Sequence, residues 1–268
     1  MASIPSNSAL ETTRPAVDTS KPRWAFPRWA NYLLPLLVIA AVGAGLYVPT
    51  LVYVGASPMA TDVGYAPDQP IKYSHALHVG QLGMDCRFCH TTVENAAFAA
   101  VPPTQTCMNC HAAIRSKTPD GSAPNPNLAA LYASWKSGTP VQWKKIHDLP
   151  DYAYFNHSAH VNKGVSCVTC HGRIDQMETV YQAKPLNMAW CLECHRQPEK
   201  YLRPREEVFN LGWTIDQLKT THPDLAADIQ KTNGTDGPVT QEQMGLYLKQ
   251  KYQIKEHNFM TSCSTCHR

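Results

Sequence analysis

Cysteine is the feature of this sequence that most constrains its fold, because all ten cysteines fall into one repeated pattern. The pattern is Cys-x-x-Cys followed at once by His, and it occurs five times in 268 residues. The five motifs are Cys86, Cys89 and His90; Cys107, Cys110 and His111; Cys167, Cys170 and His171; Cys191, Cys194 and His195; and Cys263, Cys266 and His267. The pattern predicts five covalently bound haem c groups, in which two thiols bind each porphyrin and the adjacent His ligates the iron.

Zinc is the main alternative, because two Cys-x-x-Cys pairs about seventeen residues apart are also typical of a zinc ribbon. The chain contains 12 His, so a His follows a given pair by chance roughly one time in twenty, and five in succession would be a rare accident. The fifth pair, Cys263 and Cys266, also has no second pair with which to complete a four-ligand site. Free thiol pairs in an exported chain would tend to oxidise. The sequence therefore favours haem c over zinc or disulfides.

An apolar stretch near the N-terminus predicts export. No charged residue lies between Arg28 and Asp62, and residues 31–54 are long enough to span a bilayer as one helix. Basic residues precede the stretch, so the positive-inside rule predicts a cytoplasmic segment 1–30 and a periplasmic domain 55–268. A cleaved signal peptide is the alternative, but the apolar run is longer than an ordinary signal core. We therefore expect a single-pass protein of a bacterial inner membrane.

An internal repeat organises the exported part. Residues 73–79 read Tyr-Ser-His-Ala-Leu-His-Val, and residues 155–161 read Phe-Asn-His-Ser-Ala-His-Val. Each copy precedes two of the cysteine motifs. The repeat therefore predicts two di-haem modules, at residues 73–111 and 155–195, and a fifth haem in a C-terminal part at residues 203–268.

The expected fold is mainly α and coil. We expect a multihaem cytochrome c with class III-like di-haem modules and one N-terminal transmembrane helix. Residues 117–127 are rich in Pro, Gly, Ser and Asn, which predicts an exposed linker between the modules. Porphyrin rings bring much apolar surface, so we expect them to supply a large part of the core.

The paired His residues of the repeat are candidate distal ligands. A haem iron held by one His has a second axial position, which another His often fills in low-potential electron carriers. Residues three apart on a helical turn have similar but not identical bearings, so each His of a pair can serve a different haem. The four candidates are His75, His78, His157 and His160.

The distal ligand of the remaining haem stays open on sequence grounds. A Met ligand would raise the potential of that haem. His222 precedes Pro223 and is expected to face solvent. The candidates are His147, His257, His222, Met188 and Met260.

The same residues argue for an electron carrier rather than a catalytic chain. All five motifs end in His, and several further His residues compete for the remaining axial positions, so no iron is evidently left for a substrate. No catalytic triad or nucleotide-binding loop is visible. Haem propionates would more than offset the net charge of +3, so the basic balance gives no reason to expect a nucleic-acid partner.

Three stretches carry a resemblance to a known family. They are residues 143–161, the third motif with the Gly-Arg-Ile-Asp-Gln-Met that follows it, and residues 188–196. Together with the anchor and the five motifs, they resemble the pentahaem subunit of alternative complex III, a quinol:acceptor oxidoreductase. The resemblance implies iron–sulfur and polytopic membrane subunits as partners, and a monohaem cytochrome c, a blue-copper protein or a terminal oxidase as acceptor. It also favours His147 as the fifth distal ligand. A stand-alone tetrahaem-type quinol dehydrogenase that feeds periplasmic reductases is the alternative.

Overall fold

The computed structural model describes residues 27–55, 57–115 and 125–267. Most of the predicted cytoplasmic segment 1–30 and most of the predicted linker 117–127 lie outside these residues. The chain divides into two units, residues 1–54 and residues 55–268.

Short helices joined by irregular segments make up the described chain. Its α-helices are α1 (Ala30–Gly55), α2 (Pro58–Thr61), α3 (Cys86–Cys89), α4 (Thr104–His111), α5 (Ala129–Ser137), α6 (His157–Val161), α7 (Cys167–His171), α8 (Met188–Arg196), α9 (Leu218–Thr221), α10 (Pro223–Asn233), α11 (Gln241–Lys251), α12 (His257–Met260) and α13 (Cys263–Cys266). A π-helix covers Ala76–Gln81, and 3₁₀ turns cover Pro126–Leu128, Ile174–Gln176, Pro198–Lys200, Arg205–Glu207 and Ile215–Gln217. Within the described ranges there is no β-strand, and an isolated bridge joins Val165 to Leu202. The predicted mainly helical fold is confirmed.

The first unit contains the predicted membrane helix. α1 has 26 residues, none of them charged and none with a buried side chain. At about 1.5 Å per residue it is about 39 Å long, more than the hydrocarbon core of a bilayer. Pro35 and Pro49 lie inside it. α1 is therefore long and apolar enough to cross a membrane once.

The largest hydrophobic core of the second unit lies in its C-terminal part. α11 packs against α10 and against the turn Pro198–Lys200. Gly245 allows this close approach, because a Cβ there would overlap the main-chain carbonyl of Glu199. Thr240 starts α11 with a capping box, which fixes its N-terminus. The buried residues of this core are Leu202, Trp213, Leu218, Ala226, Ile229, Met244, Leu248 and Tyr252.

Among the described residues, the two modules contribute to two small hydrophobic clusters. One contains Ile71, Met108 and Leu131 and joins the segment before the first repeat to α4 and α5. The other contains Val93, Val161 and Val208. Val93 follows the first motif and Val161 ends α6, so this second cluster holds the two modules together.

Candidate functional site

Each of the five motifs forms a helical turn. α3 and α13 consist of Cys-x-x-Cys alone, and α4, α7 and α8 contain the other three motifs. The Asp85 carboxylate caps α3 by accepting a 2.8 Å hydrogen bond from the Arg87 amide. Asn187 caps α8 in the same way through the Trp190 amide. Residues three apart share one face of a helix, so both thiols of a motif lie on the same side, as attachment to one porphyrin requires.

Eight of the ten motif cysteines are partly buried, whereas Cys110 and Cys263 are exposed. Burial raises the pKa of Cys167 and of Cys170 to about 12, and the pKa of Cys194 to about 11. Each motif therefore has at least one partly buried cysteine close to its His.

The same kind of hydrogen bond, from the ring to a main-chain carbonyl, orients most of the His rings. Their Nδ1 atoms lie 2.7–3.1 Å from main-chain carbonyl oxygens. An Nδ1–H that donates to a carbonyl leaves Nε2 unprotonated and free to bind a metal. The pairs of ring and carbonyl are His78 with Ser74, His90 with Ala100, His111 with Ile114, His157 with Ala97, His160 with Asn156, His195 with Met260, and His267 with Tyr152.

Three motif His residues face a His of the repeat. The ring centres are 6.2 Å apart for His78 and His111, 6.4 Å for His157 and His171, and 6.1 Å for His160 and His195. A metal-bound imidazole nitrogen lies about 2 Å from its metal and the ring centre about 1 Å behind it, so two rings on opposite sides of one iron have centres about 6 Å apart. The observed separations fit an iron between each pair.

An aromatic ring at the start of each repeat holds both of its His rings. Tyr73 lies edge-on to His75 at 4.8 Å and is stacked on His78 at 4.4 Å between ring centres. Phe155 makes the same two contacts with the first and second His of its own repeat, at 4.8 Å and 4.5 Å. The two copies of the repeat therefore have the same side-chain geometry. In each copy, the aromatic side chain fixes the directions of the two His rings.

His75 lies beside His90. Burial, together with the nearby rings of His90 and His78, lowers the pKa of His75 to about 4. Its Nδ1 is buried without a hydrogen-bond partner among the described residues. By the repeat, His75 and His90 are the counterparts of His157 and His171.

His147 contacts the third motif. Its Nε2 lies 3.3 Å from Nδ1 of His171, and the two ring centres are 4.4 Å apart with nearly perpendicular planes. Burial lowers the pKa of His147, and burial together with the surrounding His rings lowers the pKa of His171 to about 3. A separation of 4.4 Å is too short for the rings to lie across one iron. No contact in the described part of the chain joins His147 to the fifth motif, and its assignment as the fifth distal ligand stays a prediction.

The other candidates for the fifth distal position are not brought against His267 by any described contact. Met188 begins α8 and is 67% exposed. Met260 ends α12, and its main-chain carbonyl accepts the hydrogen bond from His195 at 2.9 Å. His257 begins the same helix, with its Nδ1 3.5 Å from the Asn258 side chain. The structure therefore leaves this choice open.

His222 does not face solvent, although its position before Pro223 predicts that it would. Its Nε2 lies 3.0 Å from Oε1 of Glu207, and the exposed fractions of the two side chains are 19% and 12%. The ring lies at the N-terminus of α10, before Pro223. The expectation is wrong because the His-Pro bend turns the ring toward the 3₁₀ turn that carries Glu207 rather than outward.

The electrostatic interactions between cysteines show which motifs are neighbours. Burial raises the pKa of Cys89, and Cys107 of the second motif raises it further. Cys86 of the first motif similarly adds to the effect of burial on Cys167. The first motif therefore lies between the second and the third.

Electrostatic interactions between cysteines also show which motifs neighbour the fourth and the fifth. Cys194 of the fourth motif adds to the effect of burial on Cys170. Cys266 of the fifth motif does so for Cys191. Among the described residues, the motifs thus form a continuous series in the order second, first, third, fourth, fifth.

Several residues that build the site carry no signal in the sequence. The acceptors for the His rings are main-chain carbonyls, for example at Ala97 and Ala100, and a carbonyl is present at every position. The opposed His pairs also come from packing rather than from spacing. The aromatic residue of each repeat is visible in the sequence, and only its role required the structure.

Comparisons with known proteins agree with this geometry. Residues 153–223 match the family model of cytochrome c7 and related cytochrome c. Over 104 residues the chain is 36% identical to the multihaem cytochrome c subunit of a menaquinone reductase from Nitratidesulfovibrio vulgaris. That match covers 39% of this chain and 46% of the relative, so the chain spans about half the length of the curated relative that it matches. The chain is therefore a mainly helical multihaem c-type cytochrome with a cytochrome c7-type domain, similar to the cytochrome subunit of a menaquinone reductase.

Proposed function

We propose that the protein is a membrane-anchored pentahaem cytochrome that relays electrons from a quinol-oxidising complex to an acceptor on the periplasmic side. The opposed His pairs carry this proposal, because their separations suit two axial ligands on one iron. Haem iron supplies one-electron redox chemistry when bound. With His on both sides of the iron, these sites leave no position for a substrate, so they suit electron transfer rather than catalysis.

The proposed ligand set follows the repeat. The ten motif cysteines attach the haems, and the five motif His residues are the proximal ligands. The first His of each repeat serves the first motif of its module, and the second His serves the second motif. The distal pairs are therefore His75 with His90, His78 with His111, His157 with His171 and His160 with His195. For the fifth site we keep His147, His257, Met188 and Met260 as candidates.

The wider complex is proposed from resemblance. The stretches quoted above resemble the pentahaem subunit of alternative complex III, and the curated relative is a subunit of a quinone-linked enzyme. The relative's name supports membership of a multisubunit complex, and the resemblance supports iron–sulfur and polytopic membrane subunits as partners. α1 would hold the haem domain at the bacterial inner membrane, with the N-terminus in the cytoplasm. The acceptor would be a monohaem cytochrome c, a blue-copper protein or a terminal oxidase.

A second candidate function reverses the direction of electron flow. The curated relative is named a menaquinone reductase subunit, which supports delivery of electrons from outside the membrane to the quinone. The ligand geometry is the same for both directions, because a bis-His site can be oxidised or reduced. Only the potentials and the partners distinguish them.

The first experiment tests haem number and attachment. Mass spectrometry of the denatured, purified chain should show five covalently added haems, and Cys263→Ala with Cys266→Ala should lower the number to four. A haem-free wild-type chain that binds zinc would overturn the proposal.

The second experiment tests direction and partners. Membranes containing the protein should show rapid reduction of its haems by an added quinol, and co-purified iron–sulfur and polytopic subunits. Reduction of the quinone by prereduced protein, without quinol oxidation, would favour the reverse function. An active single chain without other subunits would favour the stand-alone quinol dehydrogenase.

A further inference from the structure

The loop between the first two motifs, residues 91–100, is bonded to two different axial His residues. The Ala100 carbonyl accepts the 2.8 Å hydrogen bond from Nδ1 of His90, the proximal residue of the first motif. The Ala97 carbonyl accepts hydrogen bonds from Nδ1 of His157, at 2.9 Å, and from its amide, at 3.0 Å. His157 belongs to the second module and faces the third motif. One loop therefore orients rings at the first and third sites.

The same loop is fixed to α6 by further bonds. The Ser158 amide donates to the Ala96 carbonyl at 3.2 Å. The side-chain amide of Asn162 donates to the Glu94 carbonyl at 2.8 Å. Val93 is buried with Val161 and Val208. These contacts attach the loop along the length of α6, so a shift of the loop is transmitted to His157.

Thr92 closes this loop. Its hydroxyl donates to the Phe98 carbonyl at 2.6 Å and accepts from the Ala100 amide at 2.9 Å. Its main-chain carbonyl accepts from the amides of Asn95 and Ala96 at 2.9 and 2.8 Å. The hydroxyl thus bonds to the residue that follows Ala97 and to Ala100 itself, beside both of the carbonyls that hold His rings.

We propose that Thr92 is a positioning residue that sets the orientation of the axial imidazoles at the first and third haem sites, His90 and His157, through the loop 91–100. This inference rests on the proposed haem ligation. A hydrogen bond from Nδ1 to a carbonyl makes the imidazole a more basic ligand, which stabilises the oxidised iron. Loss of the Thr92 hydroxyl loosens both acceptors, so the midpoint potentials of both sites rise.

The test compares Thr92→Val with Thr92→Ser by spectropotentiometric titration and low-temperature electron paramagnetic resonance of the purified full-length protein. The Val variant should show two components moved upward, each by a threefold to tenfold change in the reduction equilibrium, where tenfold is about 59 mV for one electron. The low-spin signals of the same two components should change, and the Ser variant should retain the wild-type values. Thr232→Val is the control, because its hydroxyl donates within α10 to the Asp228 carbonyl and should change neither readout.

A shift confined to one component, or none, would overturn the inference while leaving the proposed function intact. A wild-type protein without bis-His haem signals would overturn the proposed function itself, so the two failures are distinguishable. If the Val variant does not accumulate, Thr92→Ala removes the hydroxyl without adding a methyl group to the loop, and the same two-component criterion applies to it.

Discussion

At the scale of single residues, most of the proposed axial His rings are held by main-chain oxygens rather than by carboxylates. Seven His rings place Nδ1 on a carbonyl. A neutral acceptor fixes the tautomer without adding charge beside the iron. The potentials of these sites should therefore depend mainly on the identity of the axial ligands and on burial.

Replacing one distal ring tests this dependence. His160→Met should raise the midpoint potential of one haem, because a thioether favours reduced iron more than an imidazole does. The other components should keep their potentials. Spectropotentiometry of the purified protein checks the prediction. His222→Gln is the control, because His222 is paired with Glu207 and lies outside the opposed pairs. An unchanged titration of the Met variant would remove His160 from the ligand set.

The carboxylate of Asp175, which follows the third motif, makes the free energy of unfolding depend on pH. Two hydrogen bonds from the Arg173 guanidinium, at 2.9 and 2.6 Å, hold the pKa of Asp175 below its usual value. A carboxyl whose folded pKa is lowered stabilises the fold above its unfolded pKa of about 4, and this contribution is lost as pH falls through the folded pKa. Asp175→Asn should therefore lower the free energy of unfolding by about 0.5–1 kcal/mol near neutral pH and change it little in strong acid.

Urea unfolding followed by circular dichroism at the two pH values measures this difference. Asp148→Asn is the matched control, because Asp148 is 66% exposed in its pair with Lys145 and an exposed pair contributes less. An equal loss of stability for Asp175→Asn at both pH values would show that the effect is steric rather than electrostatic.

At the scale of elements, the two copies of the repeat differ in helix type for a reason that is visible in the sequence. Gly83 is the fifth residue after His78 in the first copy, and Gly164 is the fourth residue after His160 in the second. Both glycines have left-handed φ values, 66° and 81°, and both lie three residues before a motif. The extra residue of the first copy is accommodated by the π-helix Ala76–Gln81, as expected for an insertion into a helical turn.

The main-chain carbonyl of Asp175 packs closely against this π-helix at Gly80. A Cβ at Gly80 would overlap the main-chain carbonyl of Asp175. Gly80→Ala should therefore displace the element that carries His75 and His78, lowering the free energy of unfolding by about 1–3 kcal/mol. Thermal unfolding of the purified protein measures the loss, and the haem spectrum should show a weakened distal ligand.

The matched control is Gly237→Ala, because a Cβ at Gly237 meets no atom within 4 Å. An alanine in such open space should leave the stability unchanged or raise it slightly by restricting the unfolded chain. Equal effects of the two substitutions would show that the contact between Gly80 and Asp175 does not hold the π-helix in place.

Elements marked by composition or by motif were predictable, and those that depend on packing were not. α1 follows from its apolar run, and each motif forms the helical turn that its cysteine spacing needs. The repeat predicts that its paired His residues are candidate ligands, but the aromatic contacts that fix their ring directions became visible only in the structure. The positions of His147 and His222 depend on long-range packing, which spacing does not encode.

At the scale of the whole molecule, the order of the motifs in space follows from reciprocal packing of the modules. The loop 91–100 after the first motif binds α6 of the second module. In return, the Met177 carbonyl after the third motif accepts from the Ala76 amide of the first module at 3.1 Å. Each repeat is thus held by the loop that follows the first motif of the other module. The first and third motifs therefore meet in the middle of the series.

This order predicts which haem is needed for continuity. Replacing Cys167 and Cys170 with Ala removes the third site and should separate the second and first sites from the fourth and fifth. A quinol added to membranes should then reduce only about half of the remaining haem rapidly, since electron transfer needs neighbouring sites. Rapid-mixing absorbance spectroscopy measures that fraction.

The matched variant replaces Cys263 and Cys266 with Ala and removes an end of the series. If electrons enter at the second site, all of the remaining haem should still be reduced rapidly, and entry at the fifth site should leave almost none reduced. Complete, fast reduction in the third-site variant would contradict a single series, because it would require a route that bypasses the junction between the modules. The pair of variants therefore tests the order of the sites and identifies the end at which electrons enter.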